Sequence, residues 1–177
     1  GHLHGIELVL LPLHVAQVPP AENNALALAN TRARLRMTTL YYFAGLQGYM
    51  VVGTGNKIED FGVGFFTKYG DGGVDVSPIG ELYKSEVYEV GRYLGVLPEI
   101  LQAAPTDGLF GDDRTDEDQL GATYDELEWA MRLVESGAEE THLTPRQSQV
   151  LAIFKRLNKA NQHKMIPIPV CRVSRGQ

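Results

Sequence analysis

The segment from Gly53 to Lys84 constrains this chain more than any other part of it. It is rich in glycine, carries both carboxylates and lysines, and directly follows the apolar run from Tyr49 to Val52. Glycine lets the backbone approach a ligand closely and adopt turns with positive φ. Carboxylates hold Mg²⁺ and ammonium groups hold phosphate oxygens, so the mixture suits a metal-bound polyphosphate. The segment therefore predicts a nucleotide-binding loop, and the density of these groups carries that prediction.

Patterning on either side of the loop indicates an α/β fold. The short apolar runs Ile6–Leu11 and Tyr49–Gly53 are typical of buried parallel strands, and helical spacing predicts a long helix from Ala21 to Gln47. Further helices are predicted at Glu81–Leu94, Glu99–Ala104 and Thr123–Ser136, and after the capping box that begins at Thr144. Residues 106–121 read as an acidic surface loop, and the proline-rich tail 166–170 cannot be helical. Strands alternating with helices favour a mainly parallel sheet, of which this chain holds the second half.

Composition narrows the class of protein. A chain of 177 residues with 44% hydrophobic and 21% charged residues is sufficient for one domain with a core, here residues 1–177. The net charge of −6 argues against nucleic acid or a membrane surface as a broad partner. Cys171 is the single cysteine, which excludes an intramolecular disulfide and fits a cytoplasmic protein. No apolar run approaches the roughly 20 residues that span a bilayer.

Each charged residue of the loop also has an ordinary structural explanation. Thr54 follows a strand at the end where open α/β sheets bind ligands, but a tight strand-exit turn explains it equally well. Glu59 and Asp60 are adjacent, so in an extended chain they point to opposite sides and form a solvated acidic pair. Lys68 and the segment 71–73 fit a hairpin turn. Single residues therefore leave the function open.

Several blocks together resemble one family. They are NTRARLRM at 30–37, GTGNK at 53–57, FTKYGDGG at 66–73, NQHK at 161–164 and PIP at 167–169. In order and spacing, from about Ala21 to Val170, they resemble ammonia-dependent NAD⁺ synthetases. The resemblance implies a homodimer and an adenine-nucleotide α-hydrolase-like fold, a Rossmann-like parallel sheet flanked by helices. It also implies an enzyme that uses ATP and Mg²⁺ to adenylate the nicotinate carboxylate of deamido-NAD⁺, after which ammonia displaces AMP.

The resemblance also assigns roles to residues by motif position. The implied ATP contacts are Thr54, Lys84 and Thr106; the implied deamido-NAD⁺ contacts are Arg34, Lys68, Asp75, His163 and Lys164; the implied Mg²⁺ ligand is Glu59. Between Glu59 and Lys68 the chain has one residue more than the commonest family spacing, which keeps Asp60 open as the metal ligand. No catalytic nucleophile is implied.

One departure from the family pattern concerns the Ser-Gly-Gly-x-Asp-Ser pyrophosphate loop, which does not occur in these 177 residues. We therefore expect an N-terminally incomplete synthetase domain that makes no NAD⁺ by itself. We also expect no glutaminase domain, so that ammonia is free or comes from a separate partner. Two alternatives stay open: a nucleotide-binding or dimerisation fragment without activity, and a related ATP-pyrophosphatase amidotransferase that acts on another carboxylate.

Overall fold

Helices make up most of the regular structure. A computed structural model describes residues 24–110 and 112–173. In chain order the elements are α1 (Ala25–Gln47), a π-helix (Ile58–Val63), α2 (Lys84–Tyr93), α3 (Pro98–Gln102), α4 (Asp116–Leu120), α5 (Tyr124–Ser136) and α6 (Pro145–Met165). The predicted strand Ile6–Leu11 lies outside the described residues.

Helix α1 confirms the predicted long helix from Ala25 onward. The Asn24 side chain accepts a hydrogen bond from Ala27 N at 3.1 Å and so caps the first turn. The helix ends at Gly48, whose φ of 68° is a left-handed value that glycine adopts without strain. Its buried side chains are small, namely Ala29, Ala33 and Ala44, and several of its large apolar side chains are exposed.

The core lies where α5, α6 and the π-helix pack together. Its most deeply buried large side chains are Ile58, Val63, Leu127 and Val150. Burying a side chain of this kind contributes roughly 1.5–3 kcal/mol. Because the π-helix supplies Ile58 and Val63, the segment that carries Glu59 is fixed on its inner side by the core.

The predicted parallel sheet is not confirmed. Within the described residues the pairing consists of one isolated parallel bridge between Val52 and Val76. Around it, Gly53 N donates to Val76 O at 2.7 Å and Asp75 N donates to Val51 O at 2.9 Å. A parallel ladder needs neighbouring strands, and the other candidate strand falls outside the part of the chain that the structure describes.

Two segments differ from their sequence interpretation. The stretch after Gly53 contains the π-helix, for which the sequence shows no clear period. The acidic stretch 106–121 is not entirely a surface loop, because α4 lies within it and buries Asp116 and Leu120.

Helices α3, α5 and α6 begin where their prolines and capping boxes predict, and residues 167–173 are irregular as expected. No helix in ranges 24–110 and 112–173 is long and apolar enough to cross a bilayer.

Candidate functional site

A cavity of about 240 Å³ opens where the chain leaves Gly53, beside the π-helix and the end of α6. Its wall combines hydroxyl, carboxylate, aromatic and ammonium groups, among them Thr54, Glu59, Asp60, Phe66, Asp71 and Lys164. A second cavity of about 350 Å³ lies against α1 and shares Thr54 and Asp71 with the first. Thr54 therefore lies where two cavities meet, which suits a ligand larger than either one.

The turn that presents Thr54 depends on Gly53. A Cβ at Gly53 would lie 2.9 Å from Val74 Cγ2 and 3.3 Å from Val76 O, closer than packed atoms approach. Glycine lets the two backbones pair through the hydrogen bond from Gly53 N to Val76 O. Thr54 follows this pairing with an exposed side chain. The strand-exit turn and the ligand contact predicted at Thr54 are thus compatible.

Asn56 organises the start of the π-helix. Its buried side-chain oxygen Oδ1 accepts hydrogen bonds from Ile58 N at 3.0 Å and from Glu59 N at 3.2 Å. These are backbone donors that a helix start otherwise leaves without partners. The backbone N–H of Asn56 donates to Glu59 Oε2 at 3.3 Å. Asn56 therefore fixes both the backbone and the carboxylate of Glu59.

Asp60 also faces the cavity. Glu59 and Asp60 both lie in the π-helix and both line the cavity, so the expectation from an extended chain that they point to opposite sides was wrong here. A Cβ at Gly55 would overlap the Asp60 carboxylate, so glycine makes room for it. Burial, followed by the negative charges of Glu59 and Asp71, raises the pKa of Asp60 to about 6.

Glu59 is the centre of a tight polar cluster. Its Oε1 accepts hydrogen bonds from Lys84 Nζ at 3.0 Å and from Tyr124 OH at 2.6 Å. Lys84 Nζ also lies 4.4 Å from the centroid of the Tyr124 ring, within cation–π distance. The Lys84 and Glu59 side chains are only 17% and 15% exposed, so water screens this pair less than an ordinary surface ion pair.

Asp116 extends the cluster inward. Its Oδ2 accepts from Tyr124 OH at 3.3 Å, while the buried Oδ1 has no hydrogen-bond partner among the described residues. Burial, then the charge of Glu59, raises the pKa of the Asp116 carboxyl. A buried carboxylate oxygen without a partner is costly, which marks this side of Glu59 as a place where a further donor or a cation would stabilise the fold.

Lys164 borders the cavity from the end of α6. Its Nζ donates to Gly64 O at 2.9 Å and to Phe66 O at 2.8 Å. Burial lowers the pKa of Lys164, and the negative charge of Asp71 acts in the opposite direction. Main-chain carbonyls thus hold this ammonium group close to the cavity wall.

The other predicted basic residues form a chain of contacts from α1 to α6. Arg34 Nε donates to Lys68 O at 3.2 Å, and Lys68 Nζ donates to the main-chain oxygen of His163 at 2.6 Å. His163 is exposed, and its ring Nδ1 lies 3.2 Å from Ala160 O. Three elements far apart in sequence, each with a predicted contact, therefore meet at one edge of the molecule.

Two predicted site residues lie apart from the Glu59 cluster. Asp75 accepts hydrogen bonds from Tyr41 OH at 3.1 Å and from Val51 N at 2.7 Å, so it braces the parallel bridge. Thr106 is exposed, and within the described residues its hydroxyl contacts only its own loop, at Arg114 O and Gly108 N. The structure brings neither into contact with Glu59 or Lys84.

Sequence reasoning missed three members of the site: Asn56, Asp116 and Tyr124. Asn56 lies inside the recognised GTGNK block, where its amide was not given a role. Asp116 was placed in a surface loop, although Thr115 and Asp118 have capping-box spacing that indicates a helix at this point. Tyr124 directly follows the predicted helix cap Thr123. Nothing in the local pattern reveals that its hydroxyl reaches Glu59, 65 positions earlier.

The geometry favours the class of proteins that bind metal-chelated phosphates. A glycine turn, two neighbouring carboxylates and Lys164 line one cavity, and Lys84 pairs with one of these carboxylates. Each group suits a phosphate or its cation. A family model described as NAD synthase matches residues 11–167. The chain belongs to the NAD synthase family.

Individual relatives agree with this assignment. The NH(3)-dependent NAD(+) synthetase of Carboxydothermus hydrogenoformans is 45% identical over 145 residues, covering 82% of this chain and 55% of the relative. That of Methanococcoides burtonii is 46% identical over 140 residues, covering 76% of this chain and 52% of the relative. The chain thus spans about half the length of these curated relatives.

Solved structures give the same result. An NMN synthetase from Francisella tularensis superimposes with a TM-score of 0.74 at 32% identity, over 91% of this chain and 61% of that one. An NH3-dependent NAD synthetase from Campylobacter jejuni, solved with a nitrate ion, gives 0.66 at 27% identity, over 93% and 62%. The fold is therefore that of NAD synthetases, although the described residues hold little of a sheet.

Proposed function

We propose that this chain takes part in the ATP-dependent amidation of deamido-NAD⁺ by ammonia, which yields NAD⁺, AMP and diphosphate. The observation that carries the proposal is the contact of 3.0 Å between Lys84 Nζ and Glu59 Oε1, beside the cavity that Thr54 and Glu59 line. It joins a residue suited to phosphate with one suited to Mg²⁺. The similarity to two NH(3)-dependent NAD(+) synthetases supports the choice of substrates.

ATP and Mg²⁺ are assigned to the Glu59 side of the cavity. Within the described ranges, no group of three or more histidine, cysteine or acidic side chains could hold a metal ion. Mg²⁺ commonly binds through one or two carboxylates together with substrate phosphates and water, so Glu59 suffices, with Asp60 as the alternative. The buried Asp116 Oδ1, which has no hydrogen-bond partner among the residues that the structure describes, adds negative potential nearby. Bound Mg²⁺ would neutralise phosphate charge.

Deamido-NAD⁺ is assigned to the edge formed by α1, the loop 66–75 and the end of α6. Arg34, Lys68 and Lys164 are held there through main-chain carbonyls. Positive charge fixed in advance stabilises a dinucleotide diphosphate without further reorganisation. Asp75 and His163 complete the proposed set, and Thr106 reaches ATP from its own loop.

The chemistry needs alignment more than a protein nucleophile. A nicotinate carboxylate oxygen attacks the α-phosphorus of ATP, and diphosphate leaves with the electrons of the broken P–O bond. Ammonia then attacks the activated carbonyl carbon, loses a proton, and AMP departs with one former carboxylate oxygen. Holding two large anions in line supplies much of the rate enhancement, and Lys84 stabilises the developing phosphate charge.

Oxygen transfer tests this route directly. Deamido-NAD⁺ labelled with ¹⁸O in its nicotinate carboxylate should transfer one labelled oxygen to AMP, as measured by mass spectrometry. Label released into water, or found in inorganic phosphate with ADP as the other product, would rule out the adenylate route. Binding of Mg–ATP and deamido-NAD⁺ without turnover would instead support the fragment without activity.

A second substrate is favoured by one observation. The solved structure with a TM-score of 0.74 is an NMN synthetase, whose product is the amide of nicotinate mononucleotide. The same site chemistry would amidate that smaller carboxylate. Turnover of nicotinate mononucleotide and deamido-NAD⁺ by the same protein decides between the two substrates. A higher kcat/KM for the mononucleotide would identify it, rather than deamido-NAD⁺, as the substrate.

We also propose a homodimer in the cytoplasm. Helix α1 exposes Leu26, Leu40, Phe43 and Leu46, each with more than half of its surface accessible. An exposed apolar face of this kind is suited to a two-fold interface between copies of the chain. Analytical ultracentrifugation at micromolar concentration should show a dimer, and a monomer would contradict the assembly. A chain with a single cysteine forms no internal disulfide, which is consistent with the reducing cytoplasm.

A further inference from the structure

Three side chains behind the Glu59 cluster bond to one another; we call them the Lys57 cluster. Lys57 Nζ lies 2.9 Å from Glu135 Oε1 and 3.2 Å from Tyr83 OH. Tyr83 OH donates to Glu135 Oε2 at 2.7 Å, which closes the triangle. None of the three was assigned a role from the sequence.

The Lys57 cluster lies directly beside the residues proposed to hold Mg–ATP. Lys57 is the residue before the π-helix that carries Glu59, and Tyr83 is the residue before Lys84 at the start of α2. Lys57 N also donates to Leu82 O at 2.8 Å, so the two segments are joined through the main chain. A shift of Lys57 or Tyr83 would therefore move Glu59 or Lys84.

Helix α5 holds both clusters at a fixed separation. Its first residue, Tyr124, donates to Glu59, and Glu135 near its last turn accepts from Lys57 and Tyr83. The two positions are about three helical turns apart and therefore lie on nearly the same face. One rigid element thus contacts the Glu59–Lys84 pair at one end and the segments that carry it at the other.

The energetics favour a geometric role for Lys57. The Lys57 side chain is 19% exposed and that of Glu135 is 43% exposed, and an ion pair that water reaches on one side adds little to stability. Its loss should leave the fold intact. A small displacement of Glu59 or Lys84, by contrast, weakens their contacts with Mg–ATP, because hydrogen bonds and metal ligands tolerate little change in distance.

We propose that Lys57 is a positioning residue that, through Glu135 and Tyr83, sets the spacing of Glu59 and Lys84 and thereby the affinity for Mg–ATP. The inference rests on the proposed function, because it takes Glu59 and Lys84 as the Mg–ATP contacts. Lys57 itself touches neither residue through its side chain within the described part of the chain.

The test compares Lys57→Met and Glu135→Gln with Lys155→Met in the protein that contains this chain. Lys155 pairs with Glu140 on the surface and serves as the matched control. Calorimetry should show the Kd for Mg–ATP raised about tenfold by Lys57→Met and about twofold or less by Lys155→Met, with deamido-NAD⁺ binding unchanged. The double variant of Lys57 and Glu135 should show no further loss, and Lys57→Arg should recover most of the affinity.

An unchanged Kd for Mg–ATP in Lys57→Met would overturn the inference. Equal losses for Mg–ATP and deamido-NAD⁺ would also overturn it, because that result indicates general loosening.

In turnover, the effect of Lys57→Met should appear in the KM for ATP more than in kcat. If Lys57→Met does not fold, Glu135→Gln alone tests the inference, because it changes a half-exposed side chain and removes the same ion pair. Mg–ATP binding without NAD⁺ formation by the wild type would reject the proposed function, while the variant series would still test the spacing.

Discussion

Tyr124 OH donates a hydrogen bond to Glu59 Oε1 at 2.6 Å, and the same oxygen accepts a bond from Lys84 Nζ at 3.0 Å. Burial, followed by the negative charge of Glu59, raises the pKa of Tyr124 far above its usual value. The phenol therefore keeps its proton throughout the working range of pH and always acts as a donor. Tyr124 and Lys84 together hold the Glu59 carboxylate in one orientation.

Replacing Tyr124 with phenylalanine tests this arrangement. Tyr124→Phe removes the donor from two carboxylates, Glu59 and Asp116, and keeps the ring. We expect a fall of about 1.5–3 kcal/mol in the free energy of unfolding, the range for hydrogen bonds to charged groups. Urea denaturation measures it, with Tyr93→Phe as the control because Tyr93 is 90% exposed. Equal stabilities for the two variants would contradict the role of Tyr124.

The choice between neighbouring acids is tested by two amide substitutions. Glu59→Gln keeps the shape and removes a charged oxygen ligand, so it should weaken Mg²⁺-dependent adenylation far more than deamido-NAD⁺ binding. We expect about a tenfold or greater rise in the Mg²⁺ concentration needed for half-maximal rate. If Asp60→Asn produces this change and Glu59→Gln does not, Asp60 is the ligand instead.

The raised pKa of Asp60 predicts a dependence of stability on pH. Because its folded pKa of about 6 lies above the usual value of 3.8, the stabilising contribution of the protonated form is full below pH 3.8. That contribution is lost as pH rises through about 6. Asp60→Asn should therefore stabilise the protein at pH 7.5, by about 1 kcal/mol once screening at a half-buried site is allowed for.

Unfolding with a chelator present at pH 4 and pH 7.5 measures the effect of Asp60→Asn. The gain should shrink at pH 4, where wild-type Asp60 is largely protonated. The same gain at both pH values would show that the carboxyl titrates normally.

Two glycines with the same backbone conformation separate packing from strain. Gly64 ends the π-helix with φ 65°, and Gly137 ends α5 with φ 63°. A Cβ at Gly64 would overlap Asn161, whereas a Cβ at Gly137 would meet nothing within 4 Å. Gly137→Ala should lower stability by about 1 kcal/mol through strain alone, and Gly64→Ala by about 2–4 kcal/mol. Thermal unfolding that ranks the two variants equally would contradict close packing of α6 on the π-helix.

The sequence was most informative where local chemistry decides the structure. Capping boxes at Thr123 and Thr144 place the starts of α5 and α6, and Gly48 places the end of α1, whereas the cap at Asn24 was not predicted. The π-helix escaped prediction because a six-residue element, with Gly62 inside it and Gly64 directly after it, shows no helical period. Its conformation depends on α6, where Asn158 and Asn161 donate to the carbonyls of Gly62 and Val63 at 2.8 Å each.

The candidate site was predictable only in part, for the same reason. Motif resemblance identified Glu59 and Lys84 without revealing that they touch. Tyr124 and Asp116 join them through contacts that span tens of residues, and no local pattern encodes such contacts. The roles of the predicted residues stay predictions, since the geometry shows where they lie and not what they bind.

The most direct test of the central claim is NAD⁺ formation from deamido-NAD⁺, ATP, Mg²⁺ and ammonium by a protein that contains this chain. The wild type and Lys155→Met should form NAD⁺ and AMP in equal amounts at the same rate. Lys84→Met should lower kcat/KM by about 10²-fold or more, since it removes the charge that stabilises the phosphates. The account is contradicted if the wild type forms no NAD⁺, or if Lys84→Met forms it as fast as the wild type.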